Sequence, residues 1–557
     1  MTPTDADQLA ATPTAGVRVV EALERLGIDL VFGLPGVHNL AIWKALSESA
    51  IRLVGVRHEQ AAVYAADGYA RATGHLGVAV VTTGPGAANT LGATGEAMAS
   101  GSPVLVIATD IPAAIRRPGT YRGSLHETRD QTAMFAPVTK AAGLVSAAAE
   151  VGEAVIQAAR AALAAPTAPV YVGVPTDLLR QAAPELPAQL SPVPGPPDFD
   201  GDGLEEAVRL IGGADRPVVW AGGGALRAGA GPAVGALADR LGAPVLTTYM
   251  SRGLLAPDHP WLVAGPAHAP EVGALWDEAD VVIGIGTDFD GVMTQNWLMP
   301  EPPHLIAINV DPADATKNYP ADVVLTGDAR EVTERLVAAV AHRDAPATAQ
   351  TRLSEIRSGV AAAVMADDPD AAAFLAIMER ALPPETVVVA DMCIPGYWLA
   401  GYRRVPRPRA LAYPMGWGTL GFAFPASLGA ALSGAARAVC VCGDGGFLFA
   451  CGELATLAEA QLPLTVVLVD DGGYGMLRFD QELAGDAPFG VDLVGPDFEM
   501  LARSFGIEAV TVSGMGPPFE DALSQAVATP SPSMIVVKAR LRPPPTTSPR
   551  WYRRSSD

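Results

Sequence analysis

The chain has 557 residues, more than one hydrophobic core normally holds, so about three domains of roughly 150 residues are expected. Its 60 acidic and 38 basic residues give a formal net charge of −22, which argues against a nucleic-acid or anionic-membrane partner. No apolar run reaches the roughly 18 residues that a membrane span needs, and the polar stretch 1–15 lacks secretory-signal features, so a cytoplasmic protein is expected.

Short β-branched runs alternate with Ala-rich helical stretches along the whole chain. Continuous apolar strands of this kind predict parallel sheets that are covered by helices on both faces. The predicted strands are Val78–Thr82, Val104–Ala108, Val170–Val174, Val218–Ala221, Val281–Ile285, Leu305–Val310, Val387–Ala390, Ala438–Cys442, Leu464–Val469 and Met534–Val537.

Two composition shifts mark domain boundaries, a proline-rich stretch from Pro184 to Pro197 and a polar, Ala-rich stretch from Ala341 to Pro369. They predict an α/β protein with three doubly wound parallel-sheet domains over residues 1–185, 195–345 and 365–557. Each domain is sized for a six-stranded sheet. The tail from Pro543 is proline-rich and then basic, which is typical of an extended arm.

The segment Val439–Gly446 reads as a buried strand that runs into Gly-Asp-Gly-Gly and then into a helix beginning near Phe447. Glycines let the backbone approach a ligand, and helix N-terminal amides suit a diphosphate. Asp444 would be an odd choice beside a phosphate unless a divalent cation lay between them.

A second acid follows the next predicted strand, at Asp471. Parallel strands end at the same edge of a sheet, so Asp444 and Asp471 can share one Mg²⁺ with a backbone carbonyl, water and two phosphate oxygens. Taken singly, each aspartate is equally well explained as a turn or capping residue. The combination favours a metal site.

The segment from Gly443 to Met476 resembles the cofactor motif of the thiamine-diphosphate-dependent decarboxylase and acetolactate synthase superfamily. The usual motif ends in Asn-Asn, whereas this chain has Asp470-Asp471, an exchange that also occurs in acetolactate-synthase-like members. The resemblance implies that Asp444, Asp471 and the main-chain oxygen of Gly473 hold Mg²⁺. The residues it places against thiamine diphosphate here are Asp444, Gly445, Gly446, Asp471, Gly473 and Tyr474.

The segment RLVGVRHEQAAVYAADGYARATG resembles the pyrimidine-binding motif of the same superfamily. From the residues alone, Glu59 is a carboxylate at a helix start, where a charge or a capping-box member is common. The resemblance implies that Glu59 hydrogen-bonds the cofactor pyrimidine and stabilises the imino tautomer that takes the proton from the thiazolium C2. That role needs a carboxyl shielded from water.

A third segment, AYPMGWGTLGFAFPASLGAAL, resembles the region that bends the cofactor. It implies that Leu420 props the thiazolium ring and donates its amide to the pyrimidine, while the carbonyl of Gly418 accepts from the exocyclic amine. The resemblance covers nearly the full chain. It implies thiamine diphosphate and Mg²⁺ as cofactors, and a homodimer or dimer of dimers with active sites at the subunit interface.

The middle segment PVVWAGGGALRAG resembles a nucleotide-binding turn, although the pattern is weak. Relatives that bind FAD carry arginines where this chain has Asp288 and Val292, so we expect a structural domain without FAD. The rival classes are an FAD-dependent oxidase and a non-catalytic cofactor-binding protein. The missing arginines argue against the first, and Glu59 argues against the second.

The pyruvate-decarboxylase type carries acids where this chain has Val37 and Leu477. Their absence favours decarboxylation of a 2-oxo acid followed by transfer of the acyl-anion equivalent to a carbonyl acceptor, as in acetolactate synthases. The alternative is a simple decarboxylase that releases an aldehyde. The segments GSLHETRDQ and PGVHN resemble a subgroup that includes decarboxylases of long substrates, such as the guanidino 2-oxo acid from arginine.

His38 and His126 are the expected polar residues of the substrate pocket, because a histidine can hold a carboxylate or carry a proton. The alternative for His126 is a loop histidine bonded to the backbone. Glu127 is placed to orient His126, and Arg478 could face either substrate or solvent. The four cysteines lack zinc spacing and are expected to be free, buried thiols in a reducing cytoplasm.

Overall fold

The computed structural model describes residues 13–117, 119–343 and 347–545. The polar start of the chain up to residue 12 and the predicted arm from residue 546 onward lie outside the described residues. Within them, three sheets form, and every strand pair in each sheet is parallel. The predicted fold class, three parallel-sheet α/β domains, is confirmed, whereas the exact domain boundaries stay a prediction.

The first sheet has six strands in the order β2-β1-β3-β4-β6-β5. Its strands are β1 (Leu30–Gly33), β2 (Arg52–Gly55), β3 (Gly77–Val81), β4 (Val104–Asp110), β5 (Ala141–Leu144) and β6 (Val170–Pro175). The strands β3, β4 and β6 are buried throughout, as their uninterrupted apolar sequences predict.

The middle sheet has five strands in the order β11-β10-β9-β7-β8, so the prediction of six is wrong for this sheet. Its strands are β7 (Pro217–Ala221), β8 (Val245–Thr247), β9 (Val281–Ile285), β10 (Leu305–Asn309) and β11 (Val323–Thr326). Beside β8, Val245 and Leu262 form only an isolated parallel bridge. Pro260 and Pro266 flank that segment, and proline has no amide hydrogen with which to extend a strand.

The third sheet has six strands in the order β13-β12-β14-β15-β17-β16, which repeats the winding of the first sheet. Its strands are β12 (Val387–Ala390), β13 (Leu411–Ala412), β14 (Ala438–Gly443), β15 (Leu464–Asp470), β16 (Glu508–Ser513) and β17 (Ser533–Lys538). In both six-stranded sheets the chain winds outward in two directions from a central pair. Doubly wound sheets bind ligands at this switch point, beyond the carboxyl ends of the strands.

Helices cover the sheets. Up to residue 195 they are Ala15–Arg25, Leu40–Ser47, Glu59–Thr73, Pro85–Ala88, Leu91–Ala99, Gln131–Phe135 and Val151–Leu163. From residue 204 to 381 they are Leu204–Gly213, Gly223–Arg227, Gly231–Leu241, Pro270–Glu278, Pro312–Thr316, Ala329–Ala339, Ala347–Asp367 and Pro369–Ala381. The remaining helices are Ile394–Tyr402, Ala423–Ala430, Asp444–Phe447, Leu454–Ala460, Gly475–Ala484, Phe498–Ser504 and Pro517–Ala528.

The chain packs into two compact units. Among the described residues, the first unit comprises those up to Gly195 together with Pro425–Ser433 and Ala450–Gln461, and the second comprises the others. The polar, Ala-rich stretch that was interpreted as a boundary contains the long helix Ala347–Asp367. No helix in the described part of the chain is long and apolar enough to cross a membrane.

Candidate active site

Two aspartates lie at the carboxyl edge of the third sheet. Strands β14 and β15 pair in parallel with Gly443 opposite Val469, so Asp444 and Asp471 follow neighbouring strand ends as predicted. The predicted helix near Phe447 begins three residues earlier, at Asp444, and is a single turn that ends at Phe447.

The electrostatic environment of both aspartates fits a bound cation. One carboxyl oxygen of each, Oδ1 of Asp444 and Oδ1 of Asp471, is buried without a hydrogen-bond partner among the described residues. Burial, followed by the nearby carboxylates of Asp471 and Asp470, raises the pKa of Asp444 to about 6. Burial also raises the pKa of Asp471, although Arg478 opposes this. Two buried, partly unpartnered carboxylates are costly unless a positive charge joins them.

Glycines bring the backbone close to this point. A Cβ on Gly446 would lie 2.6 Å from Oδ2 of Asp391, and a Cβ on Gly473 would lie 2.1 Å from the carbonyl oxygen of Val491. Gly473 also has a φ of 149°, which side-chain-bearing residues rarely adopt. A Cβ on Gly445 would be 3.3 Å from the carbonyl oxygen of Gly473, so the predicted main-chain metal ligand lies beside the Gly-Asp-Gly-Gly turn.

A cavity of about 230 Å³ opens at the same edge of the sheet. It is lined by both aspartates and the glycines of the two turns, and by apolar side chains that include Leu420, Ile394, Met476 and Leu477. Tyr474 also lines the cavity. Gly418 is at a positive φ of 67° two residues before Leu420. The structure therefore brings together the predicted diphosphate, metal and thiazolium residues of the second unit.

Glu59 is the first residue of helix Glu59–Thr73, as the sequence indicates. Its Oε2 accepts a hydrogen bond of 3.0 Å from Nδ2 of Asn89. The neighbours Ala61, Ala62 and Ala65 are buried. Glu59 itself is half-buried in the first unit, and it is the helix N-cap residue His58 whose side chain accepts from the amide of Gln60.

His38 and His126 contact each other, since their Nδ1 atoms lie 3.3 Å apart. One ring must donate and the other accept, so the pair can share a proton. Burial, and after it the neighbouring His126, lower the pKa of His38, while Asp110 raises it. The contact links two sequence-predicted pocket residues to each other, and His126 is not bonded through this nitrogen to the backbone.

One side-chain prediction needs correction. Glu127 does not orient His126, because its Oε2 accepts from the amides of Arg122 and Ser124 within the same loop. Of the two orientations left open for Arg478, the one toward open solvent is excluded, because the residue is buried. Its Nε donates to Asp492 at 2.8 Å, and its Nη1 lies 3.9 Å from Oδ1 of Asp471.

Sequence reasoning missed Asp391, which follows β12 at the switch point. Its carboxylate is 1% exposed and accepts from the amides of Met392, Gly421 and Phe422 at 3.0–3.2 Å. Burial raises its pKa to about 6, and these amide bonds oppose the shift. Asp391 thereby joins the Gly-Asp-Gly-Gly turn to the segment that carries Leu420. An acid directly after a predicted buried strand was the available signal.

The glycine turn of the middle sheet is close-packed. A Cβ on Gly222 would lie 2.4 Å from the carbonyl oxygen of Gly286, so the glycine is explained by packing. Asp288, at one of the missing arginine positions, forms an ion pair of 2.7 Å with Lys317. All four cysteines are free thiols, as predicted, and Cys440 and Cys442 are buried in β14. Cys393 and Cys451 are partly exposed, so the prediction of burial is wrong for these two.

Comparison with known proteins agrees with this arrangement. Residues 13–134 match the thiamine pyrophosphate enzyme N-terminal TPP binding domain, residues 204–336 the central domain, and residues 392–537 the C-terminal TPP binding domain. The chain belongs to the thiamine pyrophosphate enzyme family. The predicted resemblance is confirmed, and the two TPP binding domains support thiamine diphosphate as the cofactor.

Relatives within this thiamine pyrophosphate enzyme family include decarboxylases and synthases. A probable 2-ketoarginine decarboxylase of Pseudomonas aeruginosa is 38% identical over 510 residues, covering 89% of each chain. An acetolactate synthase large subunit of Parasynechococcus marenigrum is 32% identical, covering 95% of this chain and 88% of its own. The fold also matches a candidate thiamin diphosphate-dependent enzyme from Mycobacterium smegmatis, with a TM-score of 0.78 at 23% identity over 94% and 99% of the two chains.

Proposed function

We propose that the chain catalyses thiamine-diphosphate- and Mg²⁺-dependent decarboxylation of a 2-oxo acid and transfers the remaining acyl unit to a carbonyl acceptor. The observation that supports the cofactor assignment is that Asp444 and Asp471 each have a buried oxygen that accepts no hydrogen bond from the described residues, beside the glycine turns at the switch point. In this proposal Asp444, Asp471 and the carbonyl of Gly473 hold Mg²⁺.

Thiamine diphosphate would supply a nucleophilic carbon and an electron sink for the decarboxylation. The chain's own residues would bind and orient it: the amides of Gly445 and Gly446 would hold the diphosphate, and Leu420 and Gly418 would support the rings. Glu59 would share a proton with the pyrimidine, and its bond from Asn89 holds one carboxyl oxygen in place. In this proposal the active sites would lie between subunits of a homodimer or dimer of dimers.

The fate of the acyl unit depends on proton donors. Val37 and Leu477 have hydrocarbon side chains without a dissociable proton, so neither side chain can protonate the acyl carbon after CO₂ has left. A second carbonyl compound therefore competes for that carbon. The expected products are 2-hydroxy ketones or acetohydroxy acids.

A second candidate, simple decarboxylation with aldehyde release, is favoured by the His38–His126 pair, which can supply a proton. The relative from Pseudomonas aeruginosa, named as a 2-ketoarginine decarboxylase, supports the same candidate and a guanidino 2-oxo acid as substrate.

The deciding experiment is NMR analysis of products from enzyme, thiamine diphosphate and Mg²⁺ with a panel of 2-oxo acids, each with and without an aldehyde acceptor. Carboligation predicts hydroxy-ketone products with acceptor and slow aldehyde release without it. His126→Ala should slow that residual release, and Val37→Asp should shift the partition toward aldehyde. Aldehyde as the only product under saturating acceptor would establish the second candidate instead.

A further inference from the structure

Glu453 lies in the segment Ala450–Gln461, which follows the Gly-Asp-Gly-Gly turn in sequence but packs in the first unit. Its side chain is 1% exposed. Its Oε1 accepts from the backbone amides of Arg57 at 2.9 Å and His58 at 3.0 Å. Its Oε2 accepts from Oγ1 of Thr456 at 2.6 Å. A buried carboxylate with this many donors is a fixed part of the structure, because breaking any of the bonds leaves a buried charge less well solvated.

The two backbone amides are those of the turn that leads into helix Glu59–Thr73. Amides at a helix start have no partner within the helix and need an acceptor from elsewhere. The side chain of His58 accepts from the amide of Gln60, two residues further on, and the amides of Arg57 and His58 donate to Glu453. Thr456 extends the same connection, since its hydroxyl lies 3.1 Å from the carbonyl oxygen of Gly55, the last residue of β2.

One carboxylate thus ties the end of β2, the turn and the start of the helix at the residues immediately before Glu59. The side chain of Glu59 is held separately by Asn89. Rotation of the turn would move the Glu59 carboxylate even with the Asn89 bond intact. Proton transfer depends on hydrogen-bond geometry, so small displacements of an acid–base group have large effects on rate.

We propose that Glu453 is a positioning residue for Glu59, which holds the turn at Arg57 and His58 so that the Glu59 carboxylate meets the cofactor pyrimidine. This inference rests on the proposed function, because it assumes that Glu59 acts on bound thiamine diphosphate. Glu453 itself touches neither substrate nor cofactor in this role.

The test substitutes Glu453→Gln, which keeps the side-chain size but removes the negative charge and replaces one of the two accepting oxygens by an amide nitrogen. The measurements are turnover, thiamine diphosphate affinity by fluorescence titration, and the NMR rate of deuterium exchange at C2 of the bound cofactor. Loss of alignment predicts exchange and kcat slowed by about 10-fold or more, with cofactor affinity changed by less than about 3-fold.

Glu459→Gln is the matched control. Glu459 lies on helix Leu454–Ala460, which begins directly after Glu453. It forms an ion pair with the side chain of Arg57, but its own side chain is largely exposed. It should leave exchange and turnover unchanged. If Glu453→Gln does not fold, Thr456→Val removes one donor to the same carboxylate and is measured identically, with a smaller slowing in the same direction.

Unchanged C2 exchange in whichever of these two variants folds would overturn the inference, as would an equal fall in cofactor affinity and exchange, which indicates general damage. Glu59→Gln distinguishes failure of the proposed function from failure of the role inferred for Glu453. If Glu59→Gln leaves exchange unchanged, the proposed function fails. If Glu59→Gln slows exchange and Glu453→Gln does not, only the role of Glu453 fails.

Discussion

Glu59 begins a helix, accepts a hydrogen bond from the side-chain amide of Asn89 and has buried apolar neighbours. Glu59→Gln removes the acidic proton that the imino tautomer requires and leaves a side chain of the same size. We expect turnover to fall by on the order of 10²–10⁴, the usual scale for loss of an acid–base group, with fold and cofactor binding nearly intact. Steady-state kinetics and a cofactor titration measure both. Turnover within a factor of a few of the parent would remove Glu59 from the mechanism.

Asp444 and Asp471 each have a buried carboxyl oxygen that accepts no hydrogen bond within the part of the chain that the structure describes, which predicts that metal and cofactor bind together. Without a cation, the two carboxylates would face the diphosphate directly and repel it. EDTA should therefore release thiamine diphosphate along with the metal, and Asp444→Ala should behave like the chelated enzyme. Calorimetric titration measures the affinity. Tight cofactor binding by the metal-free protein would contradict the assignment of these two residues.

Asp391 gives a residue-level prediction for the other side of the glycine turn. Asp391→Asn would direct an amide group at backbone donors, leaving buried groups unpaired. We expect the free energy of unfolding to fall by about 1–3 kcal/mol and cofactor affinity to weaken. Asp328→Asn is the control, because Asp328 also accepts from backbone amides but caps helix Ala329–Ala339, beside the middle sheet. Unchanged cofactor affinity in Asp391→Asn would show that the hydrogen bonds to Asp391 stabilise the fold without supporting the cofactor site.

At the scale of elements, the buried strands were the most predictable part of the fold. Val281–Ile285 and Val387–Ala390 have the predicted bounds, because apolar runs between Gly, Pro and Asp leave little choice. The edge strands β5 and β16 were missed, as were the short buried strands β1 and β8. Ala141–Leu144 and Glu508–Ser513 are largely exposed, so their sequences carry no continuous apolar signal.

The candidate site was predictable where a glycine turn and a proposed metal ligand lie in the same segment, as at Asp444 and Asp471. The partners in contacts between distant segments were not predictable, because no local pattern identifies which segments meet. Asp391, Glu453 and the ion pair of Arg478 with Asp492 are of this kind. The resemblance supplied roles for Glu59, Gly418 and Leu420 that spacing alone would have left as helix-start or core residues.

The helix Glu59–Thr73 packs closely against helix Ala423–Ala430. A Cβ on Gly68 would lie 1.9 Å from the carbonyl oxygen of Ala426, so the helices would have to separate. Gly68→Ala should lower the free energy of unfolding by about 1–3 kcal/mol, the usual cost of overpacking. Gly92→Ala is the matched control, because its Cβ would find no atom closer than 3.5 Å. Thermal unfolding of both variants tests this, and equal stabilities would contradict it.

At the scale of the whole molecule, Glu59 and Asp444 belong to different compact units. If the proposed active sites form between subunits, a hetero-oligomer of Glu59→Gln and Asp444→Ala chains contains one intact site. Co-expression with two affinity tags and tandem purification should then give about half of the parental turnover per dimer, as two-fold symmetry requires. Activity no higher than that of either variant alone would indicate that each site is built from one chain.

The inclusion of Pro425–Ser433 and Ala450–Gln461 in the first unit bears on how such chains can be recombined. In a chimera of two parent proteins, a crossover at a domain boundary of the linear sequence would pair the first sheet with helices from a different parent. The Gly68 contact and the amides of Arg57 and His58 would then meet foreign partners. Viable chimeras should therefore inherit these two short segments with the N-terminal half. Neutral substitutions at Gly68 and Glu453 should be correlated with substitutions in the segments that contact them.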